Sequence, residues 1–354
     1  MSRTVSGWIR TGSRRAKRGF TLVELLVVVA IIALLVGLLV PAVFAVRATF
    51  ERKAVKLEVQ ALHDAVENYR SKTGDYPPDG SNWPVMERHF RKAFPNILSS
   101  ELSLMNPANG TSLDRAEALV FFLGGFSTDS QRPFTGKGGP ILNVGTPAVP
   151  VYRYNGSREN SFYAFPTGRL TVEDVGAGIL SNDETLFAGA VSDPFPVFMA
   201  RNNTVVKGAP YVYFDSRTYF VNIGSTAAPI LNCYQPSDIT AVTSAGSARG
   251  EFGAVRPHLE SVSAAGAFVF QNNKTFQIIA PGRDGKYGGR LIALGAQWFT
   301  LNGLSFAYNG TRMIVDAAST SKFNLNENNG IVELPAYDNA SNFSELDTFG
   351  DSAQ

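Results

Sequence analysis

Between Leu25 and Val46 the chain runs for 22 residues without a charged side chain. A helix across a bilayer needs about 20 apolar residues. In lipid such a segment has to be helical, because a helix satisfies its own backbone groups. One carboxylate, Glu24, stands at the start of the run. Acids at that depth are costly and tend to be paired and functional. Upstream, Arg3, Arg10, Arg14, Arg15, Lys17 and Arg18 occur with no acid among them. That bias favours a cytoplasmic N-terminus. The run closes as Val40-Pro41-Ala42-Val43-Phe44-Ala45-Val46-Arg47, without an Ala-x-Ala-like site. The apolar helix is therefore expected to stay in the mature protein rather than leave with a secretory signal. A plain signal anchor is the competing reading, and it gives Gly19, Phe20 and Glu24 no joint role.

The string Lys17-Arg18-Gly19-Phe20-Thr21-Leu22-Val23-Glu24-Leu25-Leu26 closely resembles the class III signal of type IV pilins and type II secretion pseudopilins. The resemblance implies cleavage between Gly19 and Phe20 by a membrane prepilin peptidase, and N-methylation of Phe20. It also implies that Glu24 neutralises the Phe20 amine of a neighbouring subunit during assembly. An ammonium and a carboxylate meeting in an apolar bundle relieve each other's desolvation. The expected organisation is a cleaved leader at 1–19, a long helix at 20–74 that is transmembrane at about 20–46, and an exported domain at 75–354.

The whole chain carries +2, and without the six basic residues of 1–19 the remainder carries −4. A mildly acidic mature protein gives nucleic-acid binding little support. Arg47, Arg52, Lys53 and Lys56 follow the apolar run, tempered by Glu51 and Glu58. Cys233 is the one cysteine, so no internal disulfide forms. His63, His89 and His258 lack ligand spacing and are read as neither catalytic nor metal-binding.

Past the apolar run, Phe50, Ala54, Leu57, Ala61, Ala65 and Tyr69 recur at spacings of three and four. That periodicity predicts that the helix continues and lays this face on a globular domain. Phe20 to Lys72 would be about 80 Å long at 1.5 Å per residue. Pro41 is expected to kink it. Thr73-Gly74 followed by Pro77-Pro78 is a stop signal. Beyond it, helices are expected within 85–94 and 113–123, and irregular chain over 126–160. Strands are expected at 151–154, 211–214, 219–223, 267–270, 275–280 and 297–301. A two-residue hairpin turn at Asn309-Gly310 would join 305–308 to 311–315. Residues 235–265, rich in Ser, Ala and Gly, read as a long loop or insertion.

Weaker likenesses to major pseudopilins recur downstream. They are Lys72-Thr73-Gly74-Asp75-Tyr76-Pro77, Ser192-Asp193-Pro194-Phe195 with Ala209-Pro210-Tyr211, and the segment from Phe276 to Gly289 with its Gly282-Arg283-Asp284-Gly285 turn. In that family the last region holds a structural calcium ion. The resemblance implies ligands at Asp284, Asp338 and Asn342, and calcium takes six to eight oxygens. Gly288-Gly289-Arg290-Leu291 stands where the family's acidic pair commonly follows, and a simple Asp-Gly turn is the alternative.

The expected fold is α+β: one long N-terminal helix packed on an antiparallel sheet in an enlarged pilin-like domain. No Walker motif, Ser–His–Asp spacing or His/Cys cluster points to an enzyme. The resemblance implies a structural subunit of a type II secretion-like pseudopilus, single-pass in a prokaryotic inner membrane, with its C-terminal domain in the periplasm or outside the cell. Its implied partners are the prepilin peptidase, other pilins or pseudopilins, and an inner-membrane assembly platform. The alternative is a type IV pilus subunit or a pilus-borne surface-binding protein.

Overall fold

The computed structural model describes residues 21–106, 113–146, 148–171, 195–200, 209–220, 234, 255–262, 268–281, 287, 297–301, 304–308, 313–314 and 340–341. The chain divides into two compact units, Met1–Phe50 and Glu51–Gln354. One helix, α1 (Leu22–Thr73, 52 residues), contributes to both.

In the first unit α1 is apolar on every side from Leu25 to Val46. Leu22, Leu26, Leu34, Leu38 and Phe44 are all more than half exposed. The helical assignment runs through Gly37 and Pro41. This stretch is long and apolar enough to cross a membrane.

In the second unit α1 presents Glu58, Val59, Leu62, Ala65, Val66 and Tyr69 to the core. Their spacing of three and four residues is one helical stripe. It differs from the stripe expected from sequence: Ala65 and Tyr69 are buried, but Leu57 is 71% exposed and Ala61 is exposed as well. Within the first unit, Phe50 is 69% exposed. The helix carries two apolar stripes, and the one holding a carboxylate is the one that packs. It stops at Gly74, whose φ of +79° favours glycine. The Gly74 N–H closes on the Arg70 carbonyl at 2.7 Å, and Lys92 donates to the Gly74 carbonyl at 2.7 Å.

Three short helices follow: α2 (Trp83–Ala93), α3 (Ser99–Leu104) and α4 (Glu117–Leu123). The α2 N-terminus is capped by Asn82, which accepts from the Val85 N–H at 3.2 Å. At α4, Asp114 accepts from the Glu117 N–H at 2.8 Å while Glu117 accepts from the Asp114 N–H at 3.0 Å. That reciprocal exchange satisfies donors the helix cannot. All seven residues of α4 are buried.

Twelve strands are assigned among the described residues. In the hairpin β1 (Ile141–Asn143)–β2 (Tyr152–Tyr154), β2 falls where a strand is expected, whereas β1 corrects the expectation of irregular chain there. β3 (Leu170–Thr171) pairs with β4 (Val197–Phe198). A three-stranded antiparallel sheet has the order β12 (Ala340–Ser341), β8 (Phe276–Ala280), β5 (Val212–Asp215). A five-stranded sheet has the order β11 (Met313–Ile314), β10 (Leu304–Tyr308), β9 (Gln297–Leu301), β6 (Leu259–Val262), β7 (Phe268–Phe270). Its β6–β9 pairing is parallel and the rest antiparallel.

Three further expectations are corrected. β6 occupies the end of the segment expected to be a loop. Ser216–Thr218 form a 3-10 turn and Tyr219–Phe220 a turn, so no strand begins at Tyr219. Tyr308 pairs with Met313, which leaves four residues between the paired positions where a two-residue Asn309-Gly310 turn would pair Tyr308 with Thr311.

The three-stranded sheet is the centre of the second unit. Successive side chains of a strand point to opposite faces. Tyr213, Phe276, Ile278 and Ala280 join α1, α2 and α4 in one core, while Val212, Phe214 and Ile279 join Val255, Phe270 and Tyr287 in another. Both faces are covered, so every residue of β5 and β8 is buried, Asp215 and Gln277 among otherwise mostly apolar side chains. The fold is α+β, with the later part of α1 packed on an antiparallel sheet.

Candidate assembly site

Thr21 precedes the first residue of α1, and Glu24 lies in its first turn. The Glu24 carboxylate accepts from the Thr21 N–H at 2.9 Å and from the Thr21 hydroxyl at 2.8 Å. The Glu24 N–H in turn donates to the Thr21 hydroxyl oxygen at 3.2 Å. This is a capping box, Thr at the cap and Glu three residues on. Sequence reading singled out Glu24 and missed Thr21, although the T-x-x-E spacing before an apolar run is the signal for it. Gly19 and Phe20 lie outside the described residues. Pro41 sits inside α1 as expected.

The second unit holds its part of α1 through Lys56, which donates to the Ser341 carbonyl at 2.6 Å, and through two larger polar networks. In the first, Arg169 grips Glu58 at 2.5 and 2.7 Å, and the Tyr211 hydroxyl donates to the same carboxylate at 2.5 Å. Arg169 also donates to the Met199 carbonyl at 3.1 Å and lies 4.4 Å over the Phe198 ring. Glu58 is 8% exposed. A buried carboxylate is tolerated only when paired and hydrogen-bonded. Its partners lie 111 and 153 residues away, beyond the reach of any local pattern.

In the second link, the Tyr69 hydroxyl sits 2.7 Å from His89 Nε2, and His89 Nδ1 is 4.0 Å from Asp75. Burial raises Tyr69 far above the usual phenol range, and with Asp75 beside Nδ1 the Nε2 lone pair is left to accept from the Tyr69 hydroxyl. The Nδ1 proton of the neutral ring then faces Asp75. Arg217 donates to Asp75 at 2.7 Å, to Asp215 at 2.7 Å and to the Tyr76 carbonyl at 2.8 Å. His89 beside it, together with Arg217 and Lys92, holds Asp75 well below the usual carboxylate range. Burial lowers His89 despite Asp75. Burial raises Asp215 to about 6, against the opposing pull of Arg217. Thr218 donates to Asp79 at 2.6 Å, and Tyr213 donates to the Pro77 carbonyl at 2.7 Å.

The order Tyr–His–Asp resembles a nucleophile relay, but nothing can reach it. Tyr69 is fully buried and His89 is 1% exposed, with the Phe162 and Phe122 rings 5.0 and 5.9 Å from Tyr69. Its effect is mechanical: it ties the end of α1 to α2 and, through Arg217, to the strand end at Asp215.

The His63 ring lies 5.0 Å from that of Phe276 and tilted against it, and His258 is buried. Among the described residues no three His, Cys, Asp or Glu side chains are grouped as metal ligands would be. Asp284, Asp338 and Asn342, and also Cys233, lie outside the described residues. Nearby, Ala340 pairs with Ala280, so β12 runs beside the end of β8.

Residues 14–40 match the family model described as the prokaryotic N-terminal methylation motif. No curated protein and no solved structure matches the chain. The matched segment spans Glu24 and ends inside the exposed apolar part of α1, which supports a type IV pilin-like N-terminus that can anchor the chain in a membrane.

Proposed function

We propose that this chain is a structural, non-enzymatic subunit of a pseudopilus of the type II secretion kind. The observation that carries the reading is the methylation motif at 14–40 running directly into an apolar helix exposed on every side. An apolar surface of that extent has to be covered by lipid or by other subunits. Prepilin peptidase would cut between Gly19 and Phe20 on the cytoplasmic side, and Phe20 would be methylated. Subunits would wait in the inner membrane with the C-terminal domain on its far side. The assembly platform would then draw them into a filament whose centre is a bundle of α1 helices. The finer choice of pseudopilus over surface pilus rests on the downstream likenesses, such as Lys72–Pro77 after the long helix.

The same reading includes a structural calcium ion held by Asp284, Asp338 and Asn342. Chelation should lower the melting temperature of the full chain in detergent, and Asp284→Ala should abolish that response. An unchanged melting temperature on chelation removes the ion from the proposal.

The deciding experiment is mass spectrometry of the intact N-terminus in sheared surface fibres and in washed membranes. A methylated Phe20 terminus confined to membranes supports the pseudopilus. The same terminus in the fibres supports a surface pilus, the alternative reading. Uncut Met1 in both fractions overturns pilin-type processing.

A further inference from the structure

The β1–β2 hairpin turns one face to the core and the other to solvent. Ile141 is buried, and Tyr152 and Tyr154 pack beside it against the core that holds α1, α2 and α4. On the outer face Leu142 lies across from Arg153, and Val144 follows two residues on. Leu142, Val144 and Val149 are 48%, 49% and 68% exposed, and Arg153 is exposed too. From Gly138 to Tyr152 no residue carries a charge, and the cations Lys137 and Arg153 bracket the run. The Lys137 ammonium lies 3.6 Å from Glu159 and is almost wholly exposed.

The tip also spends its backbone donors internally. The Val144 N–H donates to the Val151 carbonyl at 2.7 Å, and Thr146 and Val149 each donate to the other's carbonyl at 3.1 Å. The Asn143 side-chain oxygen accepts from the Gly145 N–H at 2.9 Å and from the Val151 N–H at 3.1 Å. Pro147 and Pro150 have no N–H to satisfy. Among the described residues of the tip, that leaves the Ala148 N–H. Gly145 keeps the neck tight, since a Cβ there would sit 2.4 Å from the Val149 carbonyl oxygen. Water serves the donors of an ordinary surface loop. A loop that has consumed its own can leave water at little cost.

We propose that this hairpin docks on the surface of a lipid bilayer carrying anionic headgroups. Leu142, Val144 and Val149 enter the boundary between headgroups and acyl chains, and Arg153 reaches back to lipid phosphate. Arg153 stands two residues behind the Val144 level, about 7 Å along the strand. Apolar faces that lie in a bilayer surface sink about 5–10 Å, so the cation falls at headgroup height. A protein partner fits less well. Protein interfaces fix their register with hydrogen bonds, and this tip keeps nearly all its backbone donors for itself. A bilayer needs no register. The inference stands apart from the choice between pseudopilus and surface pilus.

The test places an environment-sensitive dye on Val149→Cys in the full chain, in a Cys233→Ala background, reconstituted into phosphatidylcholine–phosphatidylglycerol vesicles. The same dye on Ser130→Cys, at an exposed position outside the hairpin, is the control. Brominated lipid, which quenches only on contact, is put either in the vesicles that hold the chain or in protein-free vesicles added to them. The dye at 149 should be quenched several-fold more than the dye at 130. Quenching from the first source places the hairpin on the membrane that anchors the chain, and quenching from the second places it on another membrane; both support the docking. Arg153→Glu should cut the quenching several-fold, and Val144→Asp should abolish it, with the melting temperature of the chain unchanged. Equal quenching at the two positions, or none from either source, overturns the proposal. Blue-shifted emission without quenching means that a protein surface covers the hairpin, and overturns it as well. Quenching that survives both substitutions does the same.

Discussion

Glu24 can serve two purposes, and they make different demands on the side chain. As a helix cap it needs only an acceptor facing Thr21, which it provides at 2.8–2.9 Å. As the partner of a neighbour's Phe20 amine it needs a negative charge. Glutamine fills the same place in a capping box but cannot neutralise an ammonium. Glu24→Gln should therefore leave the helix and the Gly19–Phe20 cleavage intact and still prevent filament formation, as Glu24→Ala should. Processing is read by N-terminal mass, and assembly by fibre yield. Normal fibres from Glu24→Gln would reduce Glu24 to a cap.

At the scale of elements, α1 is where the sequence was most legible and also where it misled. Length, apolar run and the Thr73-Gly74 stop were all written locally. The buried face was not, because Phe50, Leu57 and Ala61 form as good an apolar stripe as Val59, Leu62 and Val66. The stripe that packs includes Glu58, whose carboxylate is buried only because Arg169 and Tyr211 arrive from remote parts of the chain. Local pattern cannot contain that information, and the same holds for Asp75, His89 and Arg217. β6 was missed for a related reason, since its Leu-Glu-Ser-Val segment becomes a strand through β7 and β9 rather than through its own propensity. Removing one partner of a buried ion pair typically costs about 3–5 kcal/mol. Arg169 is one-fifth exposed and keeps its contacts with Met199 and Phe198. Glu58→Ala should therefore cost near the lower end, about 3 kcal/mol. Arg169→Met in the Glu58→Ala background should recover part of the loss by removing the stranded cation. Thermal or denaturant unfolding of the full chain in detergent measures both. Additive losses would mean that the two side chains act independently.

Over the whole molecule, the buried titratable groups set how stability responds to acid. Burial pushes His258 down to about 3 and lowers His89 as well. In the unfolded chain both titrate near 6.5. Below that pH the unfolded state binds more protons, so each histidine makes stability fall on acidification. His258 alone can contribute about 1.4 kcal/mol per pH unit across the interval from 6.5 to 3. Asp215 acts in the opposite sense. Its native value of about 6 lies above the ordinary 3.8, so the folded state holds the extra proton between those limits and gains from acid there. Asp75, held low, adds a further loss once the pH falls below 3.8. Above pH 6.5 none of these groups changes its charge. The melting temperature should therefore be flat from pH 8 to 7 and decline below 6.5. Asp215→Asn removes the opposing contribution of Asp215 and should steepen the decline between pH 6 and 4. His258→Gln should make it shallower, whatever either substitution does to stability at pH 8. Melting curves at half-unit pH intervals read the slopes directly. An Asp215→Asn slope equal to that of the parent protein would mean that Asp215 does not take up a proton in the folded state over this range.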